Sequence, residues 1–142
     1  MSYILASPCI LHPHLRAEGI TSAEDIVIFS RCIERCREAG IEIVPLPCPE
    51  TLIFGAVRAP GCFKDRMDFP EFSTLLDRLE ENVRRMIAER GDAPLFILGV
   101  NSAPTCGATK TYYTEEKSVG AGVFLKRFAG FPLIDVKEFA KY

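Results

Sequence analysis

No stretch of this sequence approaches the roughly 20 consecutive apolar residues that a helix needs to cross a bilayer, so no membrane span is expected. Basic residues are nowhere gathered into a run. The 17 lysines and arginines are scattered among 19 acidic residues, for a net charge of −2. Binding a nucleic-acid polymer needs a basic face, so a small molecule is the better expected partner. The segment Tyr3–Ala6 runs into Pro8 without a basic n-region or a long apolar h-region. It is not read as a signal peptide, and a cytoplasmic location is expected. Internal repeats, linkers and low-complexity segments are also missing, which leaves residues 1–142 as one expected domain, monomeric or homodimeric. A chain of 142 residues with 48% hydrophobic content buries about two-thirds of its unfolded surface. It needs no metal merely to cohere.

What is present alternates between apolar strands and amphipathic helices. Tyr3–Ala6, Ile41–Leu46, Leu95–Val100 and Pro132–Val136 read as strands, the third apolar throughout as a central parallel strand should be. Thr21 and Glu24 form a T-x-x-E capping box for a helix whose stripe is Ile26, Phe29, Ile33 and Cys36, ended by Gly40. A second helix starts near Asp68 with Pro70 in its first turn and carries Phe72, Leu75, Leu76, Leu79, Val83, Met86 and Ile87 on one face. A third is expected over Glu115–Ala129, and a short one at the end of the chain. Cys9–Gly19 shows no regular period, Thr51–Asp68 reads as a long loop, and Asn101–Thr114 as a polar one. The expected architecture is an α/β/α sandwich, three layers around a mostly parallel, Rossmann- or flavodoxin-like four-stranded sheet with right-handed crossovers.

Within that architecture Cys9, Cys48 and Cys106 each stand just beyond the end of a strand. Open parallel sheets bind ligands at the carboxyl ends of their strands. Three thiols arriving there from distant parts of the sequence suggest a metal centre with an open coordination position. Iron–sulfur clusters bind through cysteine thiolates, and the wide spacing differs from the single-loop motif of electron-transfer ferredoxins. The plain alternative is that the three are small core residues. Pro8, Pro47, Pro49 and Gly107 beside them favour rigid turns instead. Cys32 and Cys36, one helical turn apart, read as core or boundary residues. Cys62 lies on the long loop, either near the site or a bystander.

The stretches Ile4-Leu5-Ala6-Ser7-Pro8-Cys9-Ile10-Leu11, Pro45-Leu46-Pro47-Cys48-Pro49-Glu50, Val57-Arg58-Ala59-Pro60 and Ala103-Pro104-Thr105-Cys106-Gly107 resemble, in order, the successive motifs of the 2-thiouracil desulfurase family. The resemblance continues into Val119-Gly120-Ala121-Gly122-Val123. It implies a [4Fe–4S] cluster held by Cys9, Cys48 and Cys106 with one open iron. The implied reaction is non-redox removal of sulfur from a small thiolated compound, 2-thiouracil or a related thio-nucleobase, with release of hydrogen sulfide. Glu50 then stands where the family has the acidic residue that activates or orients water. The family's serine three positions before the last cysteine is Ala103 in this chain, and Ser102 beside it is the catalytic candidate to supply that hydroxyl. Arg58 either balances an anionic cluster or holds a carbonyl oxygen through its planar fork. His12, with His14, stands either against substrate or on the surface, and Tyr112 and Tyr113 either stack on a base or cover the sheet. Two other functions stay open: a sulfur-trafficking or cluster-binding protein without turnover, favoured by Ala103, and a zinc hydrolase with three cysteine ligands.

Overall fold

The computed structural model of the chain describes residues 2–16, 19, 21–55, 67–101, 105–111 and 118–141. Strands β1 (Tyr3–Ala6) and β3 (Ile97–Gly99) are buried along their whole length. They are the central pair of a four-stranded sheet completed by β2 (Glu42–Pro45) and β6 (Leu133–Asp135), in the order β2-β1-β3-β6. Every pairing is parallel, with Leu5 beside Val44 on one side and Ile97 on the other. Alternation along the central strands divides the core. Tyr3, Leu5 and Ile97 face one apolar cluster, and Ile4, Ala6 and Leu98 face the other, as a pleat of period two requires. Strand β2 lies at the sheet edge, where Pro45 and its missing donor are tolerated.

Helices cover both faces. On one, α2 (Ala23–Glu38) and the terminal α5 (Val136–Lys141) pack together over the sheet. On the other lie α3 (Pro49–Phe54) and the long α4 (Pro70–Arg90), whose Phe72, Leu75, Leu76, Leu79 and Val83 are buried as their spacing predicts. The result is the expected three-layer α/β sandwich.

Several elements differ from the sequence reading. The capping box of α2 is Ser22 with Asp25, one residue beyond Thr21 and Glu24. The buried stripe turns with it: Phe29, Cys32 and Cys36 point inward and Ile26 is 41% exposed. Cys9–Gly19 holds a short helix, α1 (Pro8–Leu11), and a 3-10 turn, Pro13–Leu15. The loop expected from Thr51 begins as α3, with residues 56–66 outside the described residues.

The largest correction falls on Glu115–Ala129. There the chain forms strand β5 (Ser118–Val119), paired antiparallel with β4 (Lys110–Thr111), and then only a 3-10 turn, Leu125–Phe128. Phe124, Leu125 and Phe128 are fully buried. Their three-and-four spacing imitates a helical stripe, but it serves a compact turn plugged into the core. Among the described residues no helix is long and apolar enough to cross a membrane.

Candidate metal centre

The order β2-β1-β3 means that the chain leaves β1 to one side and returns on the other. This creates a crevice between the carboxyl ends of β1 and β3, the usual ligand site of such sheets. Cys9 follows β1, Cys106 follows β3 and Cys48 follows the neighbouring β2. Each is set there by local geometry. Ser7 ends β1 with its N–H on the Leu98 carbonyl (3.0 Å) and is the residue before Pro8, which starts α1 and carries Cys9 into the crevice. Cys48 precedes α3, and its sulfur accepts from the Thr51 N–H (3.4 Å) and hydroxyl (3.2 Å). Cys106 is drawn back over β3 by the Val100 N–H, which donates to its carbonyl at 2.9 Å.

The turn that carries Cys106 is braced on three sides. The Asn101 side chain accepts from the N–H groups of Ala108, Thr109 and Lys110. The Asn101 backbone N–H donates at 2.7 Å to the buried Asp135 carboxylate at the end of β6. The Thr105 carbonyl accepts from Phe124 and Leu125. Two glycines make room for it. A Cβ on Gly122 would stand 2.3 Å from the Thr105 carbonyl carbon, and one on Gly99 would stand 2.4 Å from the Cys106 carbonyl oxygen. Gly122→Ala is therefore expected to cost about 1–3 kcal/mol, the usual range for overpacking, and to displace Cys106. The check is thermal unfolding of the apoprotein together with iron uptake. Gly130→Ala, where an added Cβ meets nothing within 4 Å, is expected to change neither.

The three sulfurs lie within one another's electrostatic field. Burial pushes the Cys9 thiol up to about 12, against the lowering influence of Arg16, and Cys48 and Glu50 raise it further. Cys106, more deeply enclosed, is held well above the ordinary thiol range by burial and then by Cys48 and Cys9, while the Thr105 and Ser7 hydroxyls pull the other way. Ionising all three together, two of them buried, would need a cation between them. The Ser7 hydroxyl gives a second sign. It is fully buried and its oxygen has no hydrogen-bond partner of good geometry, although it stands near enough to Cys106 to favour a thiolate there. An unused buried donor costs about 1–3 kcal/mol, and a sulfur-rich anionic group in the crevice would satisfy it. Among the described residues, no three Cys, His, Asp or Glu side chains are drawn tightly enough for one metal ion. A cubane offers each thiolate a different iron and asks for a wider spacing. Cysteine thiols at three strand ends are the donor set that such a group takes, so the residues present fit it.

Glu50 is brought to the same place. It lies in the first turn of α3, only 8% exposed, and its Oε2 accepts a 2.9 Å hydrogen bond from the Thr105 hydroxyl. That hydroxyl is also 3.4 Å from the Cys106 sulfur, so carboxylate and thiol are tied through one side chain. His12 and His14 are exposed, their rings edge to face at 5.8 Å. Ser102, Ala103, Arg58, Cys62, Tyr112 and Tyr113 lie outside the described residues. Cys32 and Cys36 are core residues, the Cys32 thiol donating to the Val136 carbonyl.

The sequence reading missed Ser7, Arg16 and Thr105. Ser7 and Thr105 sit within two residues of a crevice cysteine, where a search for polar residues would have found them; Arg16 is seven residues beyond Cys9. Gly99 was missed for a different reason: only the close approach of Cys106 reveals its role.

Fold and site together define an α/β sandwich with a thiol-lined crevice at the switch point of its sheet. Among solved structures, the chain is similar to TudS, a [4Fe–4S]-dependent thiouracil desulfidase, with a TM-score of 0.56 and 19% identity over 95% of this chain and 91% of that one. The two share a fold over nearly their whole lengths. No protein-family model matches the chain, and no curated protein does.

Proposed function

We propose that the chain is an enzyme that removes sulfur from a small thiolated compound, 2-thiouracil or a related thio-nucleobase, using a [4Fe–4S] cluster held by Cys9, Cys48 and Cys106. The observation that carries this reading is the meeting of three thiols from three strand ends in one buried crevice, where Cys48 and Cys9 both bear on Cys106. The shared fold with a desulfidase supports it. With three protein thiolates, such a cluster supplies an open, Lewis-acidic iron for the departing sulfur.

The chain's own groups do the rest. Glu50, enclosed and fixed by Thr105, takes a proton from the water whose oxygen replaces the sulfur. The C=S bond gives way to C=O and sulfur leaves as hydrogen sulfide, so no electrons are gained or lost. The buried Ser7 hydroxyl, which has no hydrogen-bond partner among the described residues, is left to donate to a sulfur-rich group in the crevice. The low polarity of the crevice strengthens both interactions.

Anaerobic preparation followed by assay of iron, acid-labile sulfide and zinc, then of sulfide released from 2-thiouracil and 4-thiouracil, tests the proposal. Equal iron and sulfide with release of hydrogen sulfide is the expected result. Uptake of zinc without iron overturns the cluster. An intact cluster that desulfurates no thiolated base overturns the enzyme and leaves a sulfur carrier.

A further inference from the structure

Cys48 differs from its two neighbours in the crevice. Cys9 and Cys106 are buried, whereas Cys48 is half-buried and so the most open of the three to solvent. Its sulfur is also held twice by one residue. The Thr51 N–H donates to it at 3.4 Å and the Thr51 hydroxyl at 3.2 Å.

The donor is fixed in its turn. Thr51 lies in the first turn of α3, where the Leu52 N–H donates to the Cys48 carbonyl at 3.1 Å and the Gly55 N–H to the Thr51 carbonyl at 2.9 Å. The backbone that carries the hydroxyl is therefore tied at both ends, and a β-branched side chain has few rotamers to choose from. A threonine hydroxyl in a helix commonly turns back to a carbonyl three or four residues earlier. This one donates to a sulfur three residues earlier. The Thr105 hydroxyl, 3.4 Å from the Cys106 sulfur, is by contrast shared with Glu50 Oε2, to which it donates at 2.9 Å.

We propose that Thr51 is a positioning residue of the metal centre, whose N–H and hydroxyl hold the Cys48 sulfur as a cluster ligand, raise the reduction potential of the cluster and slow its loss of iron. The inference rests on the cluster reading above. A thiolate bound to iron keeps lone pairs that accept hydrogen bonds, and a bond to an ionised acceptor is stronger than one to a neutral thiol. Such bonds draw negative charge off the sulfur, so they favour the reduced, more anionic cluster. They also keep the most open of the three ligands pointing at its iron, which opposes its replacement by a solute.

The test compares anaerobically loaded wild type with Thr51→Val, Thr51→Ser and Thr51→Ala, reading iron and sulfide content, the rate of iron loss to a chelator and the midpoint potential. Valine keeps the shape and the N–H but not the hydroxyl. Thr51→Val is expected to lose iron about tenfold faster than wild type and to shift the potential to more negative values. Thr51→Ser, which keeps the hydroxyl, should stay close to wild type in both. Thr51→Ala also lacks the hydroxyl and serves, read by its potential, if Thr51→Val does not fold. A threonine that merely packs α3 would give the opposite order, with Thr51→Val matching wild type while Thr51→Ser and Thr51→Ala lose iron faster, and that order overturns the proposal. Wild type that takes up no iron and sulfide removes the cluster reading and this inference with it. A loaded wild type whose potential and iron loss are matched by Thr51→Val removes this inference alone.

Discussion

Alanine at Cys9, Cys48 or Cys106 is expected to abolish the broad cluster absorption toward the blue end of the visible region, whereas Cys32→Ala and Cys36→Ala retain it. The contrast cannot come from burial, because Cys32 and Cys36 are the more deeply buried, at 0% exposure against 8% for Cys9 and 4% for Cys106. It comes from place. Cys32 and Cys36 lie on the inner stripe of α2, in the apolar cluster that also holds Phe29, Ile4, Leu98 and Cys9, but the thiols that bear on Cys106 are Cys48 and Cys9. Truncating Cys32 or Cys36 removes one sulfur from a packed core and lowers stability without touching a ligand. Removing a crevice thiol leaves an iron without its thiolate. The apoproteins are expected to show the reverse order in thermal unfolding, the core variants being the more destabilised. A cluster spectrum that survives Cys9→Ala, Cys48→Ala or Cys106→Ala would sink the assignment of that residue as a ligand.

That the sequence places Cys9, Cys48 and Cys106 at the binding edge of the sheet has a simple physical cause. Buried parallel strands are short apolar runs, and the residue just past such a run lies at the sheet's binding edge whatever happens elsewhere in the fold. Glu50 was legible for a lesser reason, its place in Pro-Cys-Pro-Glu, with nothing local to say that it is buried. The short helices α1 and α3 were not legible, because four and six residues carry too little period to separate helix from turn. The capping box was ambiguous in principle: Thr21/Glu24 and Ser22/Asp25 both have suitable residues three apart. The choice of the second pair accompanies the contact of Asp25 with Arg16, a partner nine residues away. The helix expected over Glu115–Ala129 misled for the opposite reason. Phe124, Leu125 and Phe128 do share a face, but Gly122 is held against the Thr105–Cys106 turn, with its N–H on the Gly107 carbonyl at 2.7 Å. That backbone contact holds the turn that carries Cys106, and a helix running through Gly122 would forfeit it.

Glu50→Gln is expected to leave iron and sulfide content unchanged while lowering the rate of sulfide release from 2-thiouracil by roughly 10²-fold or more, the range that a positioned general base supplies. Glutamine keeps the volume of the side chain, and its carbonyl oxygen still accepts the Thr105 hydroxyl that now donates to Oε2 at 2.9 Å. The turn that carries Cys106 is therefore spared. What disappears is the ability to take a proton from water. Because sulfur binding at an open iron does not need that proton transfer, the variant should still bind the thiolated base. The loss then falls on kcat, with KM little changed. Thr105→Val separates position from basicity: it keeps the carboxylate but removes the donor that orients it, and should give a smaller loss than Glu50→Gln. An unchanged kcat in a fully loaded Glu50→Gln protein would take Glu50 out of the reaction. A loss of cluster in the same variant would recast it as a structural partner of Thr105 and Cys106.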